Sequence, residues 1–154
     1  MDGNVFHSWS AQDLIDPVNV VSGQGSTFTD DQGRDYLDFS SQLVNLALGH
    51  GNQRLIQSIK DQADRLVTIQ PSFKNDTRSE LAQELVERAG ESFGSVFFTN
   101  GGAEANENAV RMARGYAGRR KVMSAYRSYH GATSTAISLT GDPRRWANEP
   151  SDSS

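Results

Sequence analysis

A glycine turn between a short apolar run and a long periodic segment constrains the fold of this chain most strongly. Thr99-Asn100-Gly101-Gly102-Ala103 follows Val96-Phe97-Phe98 and opens a helix that we predict to extend to Ala117. A strand, a glycine turn and a helix in this order leave backbone N–H groups free at the positive end of a helix dipole. We therefore predict an anion site at the glycine turn, although a tight turn that needs glycine for steric reasons explains the same residues equally well.

A second candidate site, Tyr129-His130-Gly131, places an aromatic ring next to a possible proton carrier. An aromatic platform and a phosphate cradle in one chain suggest a flat, phosphorylated, ring-shaped cofactor. A half-buried surface pair is the simpler interpretation of Tyr129 and His130 taken alone. Glu107 lies near the start of the predicted helix, where we expect it to complement the helix dipole. The stripe predicted to be buried on this helix consists of Ala105, Ala109, Met112, Ala113 and Tyr116.

Periodicity elsewhere predicts two more helices and several strands. Apolar residues from Leu55 to Val67 follow helical spacing. Another helix is predicted to begin at a capping box, with Thr77 as N-cap and Glu80 reaching back, and to end at Gly90. Residues 96–99 and 121–125 are predicted as strands, and residues 26–29 and 36–39 as a hairpin closed by the turn at 30–33. The alternation of strands and helices after residue 50 indicates an α/β fold with a parallel sheet.

The composition of the chain excludes several classes of function. The formal charge is −4, so the chain lacks the basic surface that a nucleic-acid or membrane-surface binder needs. No apolar run approaches the ~20 residues of a transmembrane helix, and Met1-Asp2-Gly3-Asn4 has no feature of a secretory signal. Cysteine is absent, and no His, Asp or Glu set has convincing metal-ligand spacing. We expect a cytoplasmic protein without a metal site.

Taken in order, the sequence blocks closely resemble the class III aminotransferases, pyridoxal-phosphate enzymes of the fold-type I group that include the ω-amino acid transaminases. The resemblance covers residues 5–150 and rests on Gly25-Ser26-Thr27, Tyr36-Leu37-Asp38, Gly49-His50, Phe98 to Glu107, Tyr129-His130-Gly131 and Leu139-Thr140-Gly141. It implies the N-terminal part of a fold-type I aminotransferase. Residues 1–50 would form the arm and β-hairpin of the small domain, and residues 51–154 the first part of the large cofactor-binding α/β domain.

The resemblance also implies roles for individual residues. The small-residue turn whose amides hold the phosphate of pyridoxal 5'-phosphate corresponds to Gly101, Gly102 and Ala103. Tyr129 corresponds to the residue that stacks on the pyridine ring, and His130 completes that motif. The residues that match substrate-pocket positions are Trp9, Val44 and Asn45. The segment from Phe6 to Ser10 looks most like the branch that acts on taurine-like or other ω-amino substrates.

The resemblance further implies two groups that residues 1–154 do not supply. The family's catalytic lysine binds the cofactor aldehyde, an aspartate holds the pyridine nitrogen protonated, and both lie downstream of the Tyr-His-Gly block. The three lysines present, Lys60, Lys74 and Lys121, do not match the catalytic position. We therefore expect an apparently truncated fragment, inactive by itself, of a homodimeric transaminase. The intact enzyme would move an amino group from an amine or ω-amino acid to a 2-oxo acid.

Two alternatives stay open from the sequence. The first is a non-catalytic remnant that binds a phosphorylated ligand or a partner subunit. The second is a small α/β phosphate binder unrelated to aminotransferases, which explains the glycine turn but not the order of the other blocks.

Overall fold

The computed structural model describes residues 4–148. The expected absence of a secretory signal rests partly on residues 1–3, which lie outside the described residues. The chain divides into two compact units, Met1–Phe73 and Lys74–Ser154. Among the residues that the structure describes, no helix has the length and apolar character needed to cross a membrane.

The first unit contains a three-stranded antiparallel sheet. Its elements are a 3₁₀ turn (Gln12–Leu14), β1 (Val20–Gln24), β2 (Thr27–Asp30), β3 (Asp35–Leu37), α1 (Ser41–Val44) and α2 (Gln53–Arg65). Strand β2 is central, with Phe28 opposite both Gly23 of β1 and Tyr36 of β3. The rings of Phe28 and Tyr36 stack with their centroids 5.2 Å apart. The predicted hairpin is therefore confirmed.

The carboxylate of Asp30 organises the turn between β2 and β3. It is 2% exposed and accepts hydrogen bonds at 2.7–2.9 Å from the amides of Gln32 and Arg34, from Arg34 Nε and from the Tyr36 hydroxyl. Burial acts to raise the pKa of Asp30, but the hydrogen bonds from Arg34, Tyr36 and Gln32 outweigh it and lower that pKa to about 2. The ionised form of Asp30 therefore stabilises the turn.

We expect the hairpin to loosen in acid as Asp30 takes up a proton. The pKa of Asp30 is about 2 in the folded chain and 3.8 ordinarily, so its stabilising contribution is complete above pH 3.8 and is lost as the pH falls from there toward 2. NMR titration of the Gln32 and Arg34 amides would measure this change. Asp30→Asn should abolish the pH dependence, and Asp31→Asn is the exposed control. An Asp30 titration midpoint at its ordinary value would contradict the prediction.

Element α1 is a single left-handed turn. All four of its residues have φ between 48° and 65°, a conformation that costs L-residues energy. The carboxylate of Asp38 supports the turn, because it accepts hydrogen bonds from the amide and side chain of Gln42 and lies 3.0 Å from His50 Nε2. The turn leaves the side chains of Leu43 and Val44 exposed.

The second unit consists of helices joined by irregular segments. Its elements are α3 (Asp76–Ala89), α4 (Gly102–Ala117), α5 (Ser134–Ser138) and α6 (Arg144–Asn148). Helices α3 and α4 follow the predicted periodicity, and Gly90 caps α3 as expected. The predicted N-cap at Thr77 is wrong: the side chain of Asn75 accepts a hydrogen bond from the Arg78 amide at 3.1 Å. Asparagine is at least as good an N-cap as threonine, so the helix begins earlier.

The segments at 96–99 and 121–125, predicted as strands, form no strand within residues 4–148. The hydrogen-bonded sheet of the described residues consists of β1, β2 and β3. A strand needs a neighbour that supplies the hydrogen bonds of its ladder. The apolar pattern of these segments indicates β propensity, but no described neighbour pairs with them.

The apolar stripe predicted to be buried on α4 is exposed, so that prediction is wrong for this chain. Met112 and Tyr116, for example, are 55% and 97% exposed. Periodicity identifies a helix face that needs covering, and no described segment covers this one. The less exposed face of α4 carries Ala103, Asn106, Glu107 and Val110. In the described residues, the fully buried apolar side chains are Ala136 and Ile137 of α5.

Candidate functional site

The N-terminus of α4 offers open space beside its two glycines. Gly101 is the N-cap and has an extended backbone, with φ −175° and ψ 170°, which any residue adopts. A Cβ atom built on Gly101 or Gly102 would meet no heavy atom within 4 Å. The described residues therefore give no steric reason for glycine here, and a ligand can approach the backbone closely.

The backbone amides at this terminus are unpaired within the described part of the chain. Among residues 4–148, no acceptor bonds to the N–H groups of Gly101, Gly102 or Ala103. The side chain of Glu104 turns back and accepts hydrogen bonds from Asn100 N at 2.9 Å and Asn100 Nδ2 at 3.0 Å, which fixes the turn. Unpaired amides at the positive end of a 16-residue helix can bind an anion such as phosphate.

The Tyr129-His130-Gly131 segment lies against the same helix terminus. A Cβ atom on Gly131 would lie 2.5 Å from the Cβ and 2.7 Å from the Cα of Ala103. Gly131 also has φ of 128°, a backbone conformation that favours glycine. The two sequence motifs that were predicted separately are therefore in direct contact in the structure.

Two polar side chains of α4 extend this contact. Asn106 Nδ2 donates a 2.7 Å hydrogen bond to the carbonyl of His130. Glu107 Oε1 accepts from Thr133 Oγ1 at 2.7 Å, from the Thr135 amide at 2.7 Å and from the Ala136 amide at 3.1 Å. The expectation that Glu107 complements the dipole of its own helix is wrong, because this side chain instead binds the N-terminus of α5.

The pKa of Glu107 reflects these bonds. Burial acts to raise this pKa, but the hydrogen bonds from Thr133, Thr135 and Ala136 together lower it by more. The net pKa of Glu107 therefore lies below the ordinary glutamate value. Glu107 is therefore an ionised acceptor that ties α4 to α5 at neutral pH.

Tyr129 is 50% exposed, and a cation lies over its ring. The guanidinium carbon of Arg144 is 4.6 Å from the ring centroid. Two 2.7 Å contacts, Nε to Oδ1 and Nη2 to Oδ2, join Arg144 to Asp142. Hydrogen bonding to Arg144 lowers the pKa of Asp142 to about 2. His130 Nε2 is buried and has no hydrogen-bond partner among the described residues.

The sequence analysis missed Asn106, Asp142 and Arg144. It singled out Glu107, but not as the residue that joins α4 to α5. The predicted substrate residues belong to the other unit. Trp9 has φ of 59° and is about half exposed, and Val44 of α1 is 90% exposed. Asn45, which follows α1, is exposed as well.

A sequence model of the Aminotransferase class-III family matches residues 9–151 of the chain. Acetylornithine aminotransferase from Wolinella succinogenes is 37% identical over 134 residues, which cover 82% of this chain and 34% of that protein. The protein of the same name from Caldanaerobacter subterraneus subsp. tengcongensis is 38% identical, covering 83% of this chain and 34% of its own length. The chain thus spans about a third of the length of the curated relatives it matches.

Several solved structures of transaminases also resemble the chain. A taurine:2-oxoglutarate aminotransferase from Bifidobacterium kashiwanohense, solved in complex with pyridoxal phosphate and glutamate, has a TM-score of 0.91 and 41% identity. The match covers 95% of this chain and 33% of that one. A transaminase from the marine bacterium Virgibacillus gives a TM-score of 0.87 at 30% identity, with coverage of 96% and 37%.

Proposed function

The chain belongs to the class-III aminotransferase family, and from this premise we propose that it carries part of the cofactor site of a pyridoxal-phosphate-dependent transaminase. Its fold is that of part of a fold-type I transaminase. The whole enzyme would move an amino group from an amine or ω-amino acid to a 2-oxo acid, as a cytoplasmic homodimer. Residues 1–154 alone would hold the cofactor without catalysing the reaction.

One observation carries the proposal. The amides and open space at Gly101 and Gly102 adjoin Ala103, which contacts Gly131, two residues after Tyr129 in the chain. A phosphate needs such amides, and a pyridine ring needs an accessible aromatic face nearby. The residues present therefore fit pyridoxal 5'-phosphate.

The chain's residues would divide the work of holding the cofactor. The amides of Gly101, Gly102 and Ala103 would donate hydrogen bonds to the phosphate, without help from side-chain hydroxyls at these positions. The ring of Tyr129 would stack on the pyridine ring, which contributes about 0.5–1.5 kcal/mol beyond burial and fixes the ring plane. His130 would complete the motif through its carbonyl bond to Asn106. The bound cofactor supplies an electron sink for bonds at the substrate carbon.

Substrate contacts are proposed for three residues of the first unit. Trp9, Val44 and Asn45 would contact the amine donor or the 2-oxo acid acceptor. All three residues are exposed, which is compatible with this role. The similarity to a taurine:2-oxoglutarate aminotransferase supports an ω-amino donor.

Titration of the chain with pyridoxal phosphate, followed by visible circular dichroism, tests the proposal. We expect saturable binding, and Tyr129→Ala should weaken it about 2- to 12-fold through the lost stacking. Tyr116→Ala is the matched control, because Tyr116 is 97% exposed on α4 and should leave the affinity unchanged. Equal affinity for the wild-type chain and Tyr129→Ala would contradict a stacking site.

A second candidate function is a non-catalytic fragment that binds a phosphorylated ligand or a partner subunit. The exposed stripe of α4 that ends at Tyr116 favours a partner, because apolar surface of this kind is stabilised when another chain covers it. Inorganic phosphate that binds as tightly as pyridoxal phosphate would favour this candidate.

A further inference from the structure

The ring of Tyr129 needs a defined position to stack on a cofactor whose phosphate binds elsewhere. Half of the Tyr129 surface is exposed, so burial does little to fix the residue. The segment that follows it has three contacts to α4, at Ala103, Asn106 and Glu107. These contacts hold the segment on the C-terminal side of Tyr129, while Arg144 over the ring and the bond from the Gly141 amide to the Tyr126 carbonyl hold it from the other side.

The three contacting residues of α4 share one helix face. Ala103, Asn106 and Glu107 are spaced at i, i+3 and i+4, which places them side by side over about one turn. Ala103 packs against Gly131, Asn106 holds the His130 carbonyl, and Glu107 holds Thr133, Thr135 and Ala136. The same helix that would bind the phosphate therefore also fixes the segment that carries the stacking ring.

The contacts of Glu107 are costly to remove. Ala136 is 0% exposed, so its amide has no access to water if the Glu107 carboxylate is lost. A buried donor without an acceptor is strongly unfavourable, and the bond to a charged acceptor is stronger than an ordinary one. Glutamine at 107 keeps an acceptor oxygen in the same place, whereas alanine keeps none.

We propose that Asn106 and Glu107 are positioning residues, which hold the Tyr129 segment at a fixed place beside the N-terminus of α4. The amides that bind the phosphate and the ring of Tyr129 can then contact the same bound cofactor. The proposal rests on the proposed function and adds to it the residues that join the two halves of the site.

The test compares Glu107→Ala, Glu107→Gln and Asn106→Ala in the 154-residue chain. Asn108→Ala is the matched control, because Asn108 lies on the same helix and bonds to the carbonyl of Glu104 instead. Affinities for pyridoxal phosphate and for inorganic phosphate are measured for each variant. Hydrogen exchange of the Thr135 and Ala136 amides is followed without any ligand, and far-UV circular dichroism checks the helix content.

We expect Glu107→Ala and Asn106→Ala to lose up to about tenfold in affinity for pyridoxal phosphate, the most that stacking contributes. Their affinity for inorganic phosphate should remain as in the wild type. Glu107→Gln should retain both the affinity for pyridoxal phosphate and the slow exchange of the Thr135 and Ala136 amides. Asn108→Ala should change neither.

Two results would overturn the positioning role. One is an unchanged affinity for pyridoxal phosphate in both alanine variants. The other is an equal loss of affinity for pyridoxal phosphate and inorganic phosphate, since this would mean that the whole helix terminus has changed. A wild-type chain that binds no pyridoxal phosphate would instead overturn the proposed function itself, so the two failures are distinguishable.

Discussion

Replacing Gly131 by alanine is expected to separate the Tyr129-His130-Gly131 segment from the N-terminus of α4. The new Cβ would lie 2.5 Å from the Ala103 Cβ, and φ of 128° strains any residue with a side chain. Overpacking and backbone strain each cost about 1–3 kcal/mol. A combined cost of about 3 kcal/mol predicts roughly 100-fold faster hydrogen exchange at the Thr135 and Ala136 amides.

Gly102→Ala is the control for this prediction. A Cβ at Gly102 meets no heavy atom within 4 Å, and alanine favours a helix more than glycine does. Exchange at Thr135 and Ala136 should therefore match the wild type in this variant. Wild-type exchange rates in Gly131→Ala would show that the contact with Ala103 does not hold the segment in solution.

The 154-residue chain is expected to show no transaminase turnover. None of Lys60, Lys74 and Lys121 belongs to a block that resembles the family's catalytic lysine. Without that amine, no group moves the proton between substrate and cofactor. The assay uses taurine or another ω-amino donor with 2-oxoglutarate, and full-length Wolinella succinogenes acetylornithine aminotransferase with its own donor serves as the positive control.

A chemical measurement complements the assay. Borohydride reduction in the presence of pyridoxal phosphate, followed by peptide mapping, should leave no lysine labelled in preference to the others. Labelling concentrated on one lysine together with measurable turnover would contradict the prediction. Substitution of that lysine by arginine would then identify the amine responsible.

Sequence reasoning reached the family because order and spacing carry information that single motifs lack. The glycine turn alone is compatible with any anion site. Its order and spacing along the chain relative to Gly49-His50 and Tyr129-His130-Gly131 indicate one family. Helical periodicity placed α2, α3 and α4 well, since these helices are long and amphipathic. The capping-box pattern misplaced the start of α3, because Asn75 and Thr77 both have N-cap chemistry.

The failures have a shared physical origin in long-range contacts. Whether residues 96–99 form a strand depends on a neighbour, and whether the α4 stripe is buried depends on a covering segment. The contacts of Asn106 and Glu107 span 24 to 29 residues, so no local pattern reveals them. A polar face of α4 that binds a loop has the same periodicity as one that faces water.

The glycines of the site would diverge differently over evolutionary time. No described atom lies within 4 Å of a Cβ built on Gly101 or Gly102, whereas Gly131 is constrained by its contact with Ala103. In a lineage that has stopped binding a phosphorylated ligand, the first two positions would drift while the third would not. The variation tolerated at these three positions in descendants of this chain would therefore distinguish a surviving binder from a remnant that has kept only its fold.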